Sequence, residues 1–260
     1  MHLRVLLVCA TVLLGACAAR PPARPTSTGV PHPPAEELFT AVTARCAGLM
    51  TFTAALRLSG KAGSERLRGT LLTGLAAPAS VRFEAVAPFG QPFFILAGHG
   101  EHATLLLPRD DMVLADAQVP DVLERLTGLR LGSLDLRMLL TACLSLPASP
   151  RSGLLYSRDW QSVVVGVSTV AYLQTVDGRP RIVAADDGQW RVDYGQYQND
   201  WPRQVRIRSV AGDVDMTAAL EDLSINTGID PRAFEVAVPP GASPITLDHL
   251  KSVVPLRAAS

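Results

Sequence analysis

The sequence predicts a mainly β protein with helices, class α+β, built from ten or eleven antiparallel strands. Three observations carry this. Short segments alternate apolar and polar residues with period two, as strands covered on one face do. Asp177-Gly178 and Asp187-Gly188 punctuate them as tight hairpin turns. One helical interlude, between Pro120 and Cys143, interrupts the series midway. No repeat of fixed period appears.

The first 16 residues have the pattern of an export signal, with Arg4 as a thin positive region and Val5 to Ala16 as the apolar core. That core is 12 residues long, whereas a spanning helix needs ~20. Leu13-Leu14-Gly15-Ala16-Cys17 resembles a bacterial lipobox. The resemblance implies cleavage before Cys17 and acylation of its thiol and new N-terminus; an ordinary signal peptide cut after Ala16 is the alternative. Ala18 follows the cysteine where an aspartate would signal inner-membrane retention. By resemblance to that sorting rule, the expected location is the outer membrane, lipid-anchored and facing the periplasm.

Arg20 to Pro34 is rich in proline, which gives a stiff, extended tether without a core. At ~3.1 Å per residue it could hold a domain up to ~45 Å from its anchor. The expected organisation is a signal over 1–16, lipidated cysteine and tether over 17–35, a folded domain over 36–228 and a C-terminal extension over 229–260.

Within the domain, Leu38, Phe39, Val42, Cys46 and Leu49 recur at helical spacing over Glu36–Leu49. Strand patterns follow at 52–58, 66–71, 81–85, 93–97 and 103–107. Pro120 suits the first turn of a helix, Gly128 its stop, and Ser133 the cap of a second helix with Leu136, Leu139, Leu140 and Cys143 on one stripe. Strands resume at 153–156, 162–167, 170–176, 181–185, 189–194, 204–209 and 213–219, with a weak one at 220–225. If Cys9 leaves with the signal and Cys17 is acylated, Cys46 and Cys143 remain. In an oxidising compartment such a pair forms a disulfide or stays as two buried thiols.

Composition and motifs narrow the function. Removing residues 1–16 takes away one base, Arg4, leaving 23 Lys+Arg against 24 Asp+Glu. That balance excludes the basic face a nucleic-acid partner requires. His99-Gly100-Glu101-His102 has the look of a metal fragment, but it lies in a strand connection rather than on a helix, so no metal site is expected. Asp110-Asp111 and Asp186-Asp187 are adjacent acids. Neighbours on a strand point to opposite faces, so these are turn residues and not a catalytic pair. No nucleophile elbow, phosphate loop or His-based constellation is present, and neither enzyme activity nor a cofactor is expected.

Arg82-Phe83-Glu84-Ala85-Val86 leads into Ala87-Pro88-Phe89-Gly90. Leu126-Thr127-Gly128-Leu129 and Ser133-Leu134 come later. Then follow Gln189-Trp190-Arg191-Val192-Asp193-Tyr194, Tyr197, Trp201-Pro202, Val205 and Ile207. In this order and spacing, residues 50 to 225 resemble the LolB family of outer-membrane lipoprotein receptors and insertases, and more loosely the LolA/LolB-like lipoprotein-carrier superfamily. The resemblance implies an eleven-stranded antiparallel half-barrel plugged by helices. It also implies a cavity for the acyl chains of other lipoproteins, a periplasmic carrier that hands them over, and delivery into the outer membrane. Pro88-Phe89-Gly90 matches the protruding membrane-insertion loop of that family, with Phe89 as its apolar tip or, alternatively, folded into the barrel mouth. Apolar strand residues that could line the acyl cavity, or a plain core, are Leu56, Leu58, Leu67, Leu71, Phe83, Phe93, Ile95, Leu105, Trp190, Val192 and Tyr194. The competing role for the same fold is a lipid-anchored envelope scaffold that transfers no cargo.

Overall fold

The computed structural model describes residues 23–86, 89, 91–144, 149–156 and 160–250. Signal residues 1–16 and Cys17 lie outside them, as do Pro88 and Gly90. In chain order the elements are β1 (Val30–Pro31), α1 (Pro34–Thr43), β2 (Thr51–Ala62), β3 (Glu65–Ala76), β4 (Ser80–Val86), β5 (Ile95–His99), β6 (His102–Leu107) and β7 (Met112–Gln118). Next come α2 (Val119–Thr127), α3 (Ser133–Thr141), β8 (Arg151–Leu155), β9 (Gln161–Val165), β10 (Thr169–Val176), β11 (Arg179–Asp186) and β12 (Trp190–Gly195). The last are β13 (Gln204–Ser209), β14 (Val214–Ile225), β15 (Ser243–Pro244) and α4 (Leu247–Leu250).

All strands join one open, 15-stranded sheet in the order β1-β8-β9-β10-β11-β12-β13-β14-β2-β3-β4-β5-β6-β7-β15. Two meanders, β2–β7 and β8–β14, meet where β14 pairs antiparallel with β2, from Val214↔Ala62 to Ile225↔Phe52. Only β15 runs parallel, beside β7. The expected total of ten or eleven strands is therefore corrected to fifteen among the described residues; the segments expected one by one number thirteen, with the weak one at 220–225. β1 and β15 are two residues each, too short for any periodicity. β7 loses its alternation because Asp116 sits at φ 50° and the β6–β7 register slips between Ala103 and Leu105. In contrast, 213–219 and 220–225 are one strand, β14, with a register shift beyond Glu221.

Strict antiparallel alternation sorts the turns into two ends. The β2–β3, β4–β5, β6–β7, β9–β10, β11–β12 and β13–β14 connections share one end, the Phe89 end. The β3–β4, β5–β6, β10–β11 and β12–β13 connections share the other. Asp187 shapes the β11–β12 turn, its carboxylate accepting from the Gln189 and Trp190 amides at 2.9 and 2.6 Å.

The core fills the concave face of the sheet beneath α2 and α3. Val119, Val122 and Leu126 of α2 are buried there, with Leu136 and Leu140 of α3 and with Phe52, Leu75, Phe94 and Leu96 from the sheet. Gly128 stops α2 at φ 76°, a left-handed conformation that suits glycine. Its Cα packs so closely on Val214 and Ala62 that a Cβ would come within 3.2 and 3.3 Å of their side chains. The cap of α3 is Gly132 rather than Ser133, and the Asp135 carboxylate accepts from the Gly132 amide at 3.0 Å. This reciprocal bond from the third helical residue lets a glycine serve as the cap.

The segment expected as a free tether lies partly on the sheet. Arg24 donates to Asp186 and Asp193 at 3.1 Å each, and to the Val192 and Ala185 carbonyls at 2.9 and 3.1 Å. β1 pairs with β8, and the His32 amide donates to the Gly153 carbonyl at 2.7 Å. A Cβ at Gly153 would meet the His32 carbonyl at 2.5 Å, so this approach needs glycine. At the other terminus, β15 pairs with β7 and Leu250 is fully buried in the main core. Segments on both sides of 36–228 thus pack on the sheet, the C-terminal one being the extension expected to lie on or beside the barrel.

Cys46 and Cys143 are joined by a disulfide with Cα atoms 5.6 Å apart. It ties the end of α3 to the short 3₁₀ turn that precedes β2. Arg45 lies against the sulfurs, its guanidinium 4.4 Å from the centre of the Trp201 ring.

Candidate functional site: an apolar cavity and a cleft

Between the concave face of the sheet and the two central helices lies a cavity of ≈ 90 Å³. Leu56 and Leu58 of β2, Leu71 of β3 and Phe83 of β4 line one wall. Leu123, Leu126, Leu136 and Leu140 close it from α2 and α3, and Val205, Ile207, Met216 and Ala218 from β13 and β14. Among the described residues Thr127 is the only polar side chain in the lining, and its hydroxyl is spent on the Leu123 carbonyl at 2.8 Å. A cavity so lined stays dry. At ~30 Å³ per water it has the volume of about three solvent molecules, enough for a few methylenes and not for a whole acyl chain.

A second, open space of ≈ 530 Å³ adjoins it, between α3 and strands β10 to β13. Leu131, Leu139 and Ile207 line both spaces and form the wall between them. Met138, Leu144, Trp190 and Val192 extend the apolar side of this cleft, while Arg130, Asp135, Asp186 and Asp187 rim it. The rim residues and the neighbouring Ser168 mark its mouth at the Phe89 end of the sheet.

The cavity thus gathers four of the residues singled out from sequence: Leu56, Leu58, Leu71 and Phe83. Trp190 and Val192 line the cleft instead. Leu67 and Leu105 are buried in the common core outside the cavity lining. Phe93 and Ile95 have the wrong parity: Phe94 and Leu96 point inward, and Phe94 lines the cavity. The β4–β5 register sets this, with Leu96 opposite the inward Phe83 and Ile95 opposite Glu84, while the Arg109 guanidinium lies 4.2 Å from the Phe93 ring centre. Tyr194 is also core rather than cavity. Burial holds its phenol well above the ordinary value, and its hydroxyl has no partner within the described chain. The helix residues and the β13–β14 residues of the lining were missed. Their apolar periodicity was visible, but their place opposite β2 depends on a pairing between segments ~160 residues apart.

Phe89 is 90% exposed. Arg109, in the β6–β7 turn, holds the loop from beneath by donating to the Phe89 carbonyl at 3.1 Å and to the Gln91 carbonyl at 2.9 and 3.0 Å. At the opposite end of the sheet, Arg45, Arg179, Arg181, Tyr197 and Asp200 surround a third space of ≈ 310 Å³. Asp200 pairs there with Arg179 and Arg181 at 3.3 and 3.1 Å. Desolvation pushes the Arg45 guanidinium below its usual value and the Tyr197 phenol above its own. His99 bonds Ser80 and His102 bonds Asp116 and Gln118. Among the described residues no three His, Cys, Asp or Glu side chains group to hold a metal, and no helix is long and apolar enough to cross a membrane.

An open antiparallel half-barrel with helices across its concave face defines the LolA/LolB-like fold. No family model matches the chain, and no curated protein matches it in sequence. Among solved structures, a LolA superfamily protein from Nitrosomonas europaea is similar at a TM-score of 0.53 and 10% identity, over 81% of this chain and 99% of that one. A domain assigned as an outer membrane lipoprotein-sorting domain from Vibrio parahaemolyticus gives a TM-score of 0.49 at 12% identity, over 77% and 96% of the two chains. Below 0.5 the second likeness adds nothing to the assignment.

Proposed function

We propose that this protein is an outer-membrane lipoprotein, anchored through Cys17, that accepts the acyl chains of other lipoproteins and helps insert them into that membrane. The observation that carries this reading is the dry apolar cavity under α2 and α3, adjoined by an open cleft across the shared residues Leu131, Leu139 and Ile207. Transfer needs no covalent chemistry. It needs only an apolar surface that shelters methylenes from water, at ~0.8 kcal/mol each, and a membrane that shelters them better. Because the cavity holds only a few methylenes, uptake displaces α3 from the sheet and merges cavity with cleft. A periplasmic carrier supplies the cargo, and Phe89 touches the bilayer during release.

The non-acylated domain, starting at Ala18, should take up a fluorescent fatty-acyl probe at one per chain. Ala218→Leu, which adds bulk to the cavity wall, should weaken uptake while the circular dichroism spectrum stays unchanged. The small volume of the cavity favours a second reading, a lipid-anchored scaffold with the same fold. A folded domain that takes up no probe would decide for the scaffold.

A further inference from the structure

We propose that the Phe89 end of the sheet is a bilayer-docking face, on which the domain stands with three hairpin tips in the lipid interface and its cleft opening towards the membrane. Four observations on different elements converge. Phe89, in the β4–β5 loop, is 90% exposed and Val167, at the β9–β10 tip, is 92% exposed. Val210, at the β13–β14 tip, is half exposed. Antiparallel alternation puts all three at one end. Among the described residues the other large exposed apolar ones are scattered: Val30 on an edge strand, Leu72 within β3, Val86 at the end of β4 beside the Phe89 loop, Met50 at the opposite end and Val238 in the C-terminal segment. Turns at the opposite end carry Asp177-Gly178 and Gln198-Asn199-Asp200 instead.

The chain's own anchor selects the occupant. Arg24 is bound to Asp186 and Asp193, next to the β11–β12 turn at the Phe89 end. Seven residues separate Cys17 from Arg24. At no more than ~3.6 Å per residue they reach ~25 Å. An acyl group on Cys17 therefore keeps this end within ~25 Å of the bilayer, and the exposed apolar tips choose it over the other end. The mouth of the cleft lies here too, at Ser168, Asp186 and Asp187. A chain leaving the cavity past Leu139 would emerge where the lipid is, without crossing water. The face carries charges of both signs, including Lys61, Arg66, Asp187 and Asp213, so its hold is apolar and needs no anionic lipid.

This inference rests on the acylation of Cys17 that the carrier reading assumes, but not on cargo uptake. The test uses full-length acylated protein with one added cysteine at Phe89, Val167, Val210 or, as the control at the opposite end, Asn199. The native disulfide and the acylated Cys17 leave the added thiol free for an environment-sensitive fluorophore. The protein is reconstituted in phosphatidylethanolamine–phosphatidylglycerol vesicles that contain nitroxide-labelled lipid. Labels in the Phe89→Cys, Val167→Cys and Val210→Cys variants should be quenched at least twofold, and that in Asn199→Cys should not change. Equal quenching at Asn199, or none at Val167 and Val210, would overturn the docking face. Quenching at Phe89 alone would overturn it too, while leaving the insertion-loop reading intact. A mass spectrum showing Cys17 unmodified would remove its premise. Acyl-probe uptake by the non-acylated domain is measured separately, so failure of the carrier reading shows elsewhere.

Discussion

Reduction of the Cys46–Cys143 disulfide should be the most damaging mild perturbation of this domain. The bond closes a loop of 97 residues that contains β2 to β7 and both central helices. In the chain-entropy treatment, removing such a constraint from the unfolded chain costs about 4.7 kcal/mol. Domains of this size are stable by only ~5–15 kcal/mol, so the loss is a third or more of the total. The assay is equilibrium urea unfolding of oxidised and reduced protein. With a slope of about 2 kcal/mol per molar, the midpoint should fall by about 2 M. A fall below ~0.5 M at unchanged slope would refute the reasoning, because α3 would then be held by packing alone. Reduction should also speed acyl-probe uptake, since it frees the end of α3 from the turn before β2.

Three further outcomes follow. Phe89→Glu should leave the unfolding midpoint within ~0.5 kcal/mol of the parent, as surface substitutions do, while delivery of lipoproteins to membranes falls; normal delivery would show that the loop makes no membrane contact. Arg24→Ala should cost on the order of 1–3 kcal/mol in urea unfolding, because two carboxylates and two carbonyls lose a charged donor, although Asp193 keeps Arg208. Arg24→Lys should recover little of it, since one ammonium cannot span that fork of acceptors. Hydrogen bonds from Arg206 hold the Asp215 carboxyl below its ordinary value. A depressed carboxyl contributes stability above the unfolded value, ~3.9, and loses it as pH falls through the lower folded value. Unfolding curves of the parent and Arg206→Gln should therefore differ at pH 6 and converge below ~pH 4; a gap that persists in acid would mean packing and not charge.

Much of this fold was legible because one face of most strands is wet, although β11 is buried on both. Alternation placed β2, β3 and β4, and Asp-Gly pairs marked the β10–β11 and β11–β12 turns. Both central helices were visible through Pro120, Gly128 and the leucine stripe of α3. What stayed hidden had physical causes. The pairing of β14 with β2 brings together segments with no local link, so the cavity wall formed by Val205, Ile207, Met216 and Ala218 could not be assembled from periodicity. The parity of β5 is set by its pairing with β4, which puts Leu96 opposite Phe83, and alternation alone starts one residue too early. Arg24 belongs to no pattern. It is one of two arginines, with Arg20, in a proline-rich stretch, and only the carboxylates of Asp186 and Asp193 give it a place.

Both free margins of the sheet are covered by the chain's own ends, β1 along β8 and β15 along β7. A closed barrel has no unpaired strand, but an open one exposes two rows of backbone donors and acceptors that invite another molecule to pair. Here two residues from each terminal segment shield part of those rows. The N-terminal stretch before α1 is therefore also a guard against self-association. A piece cut to residues 36–228 would lack both guards and should aggregate where the longer chain stays monomeric, even with its cavity intact.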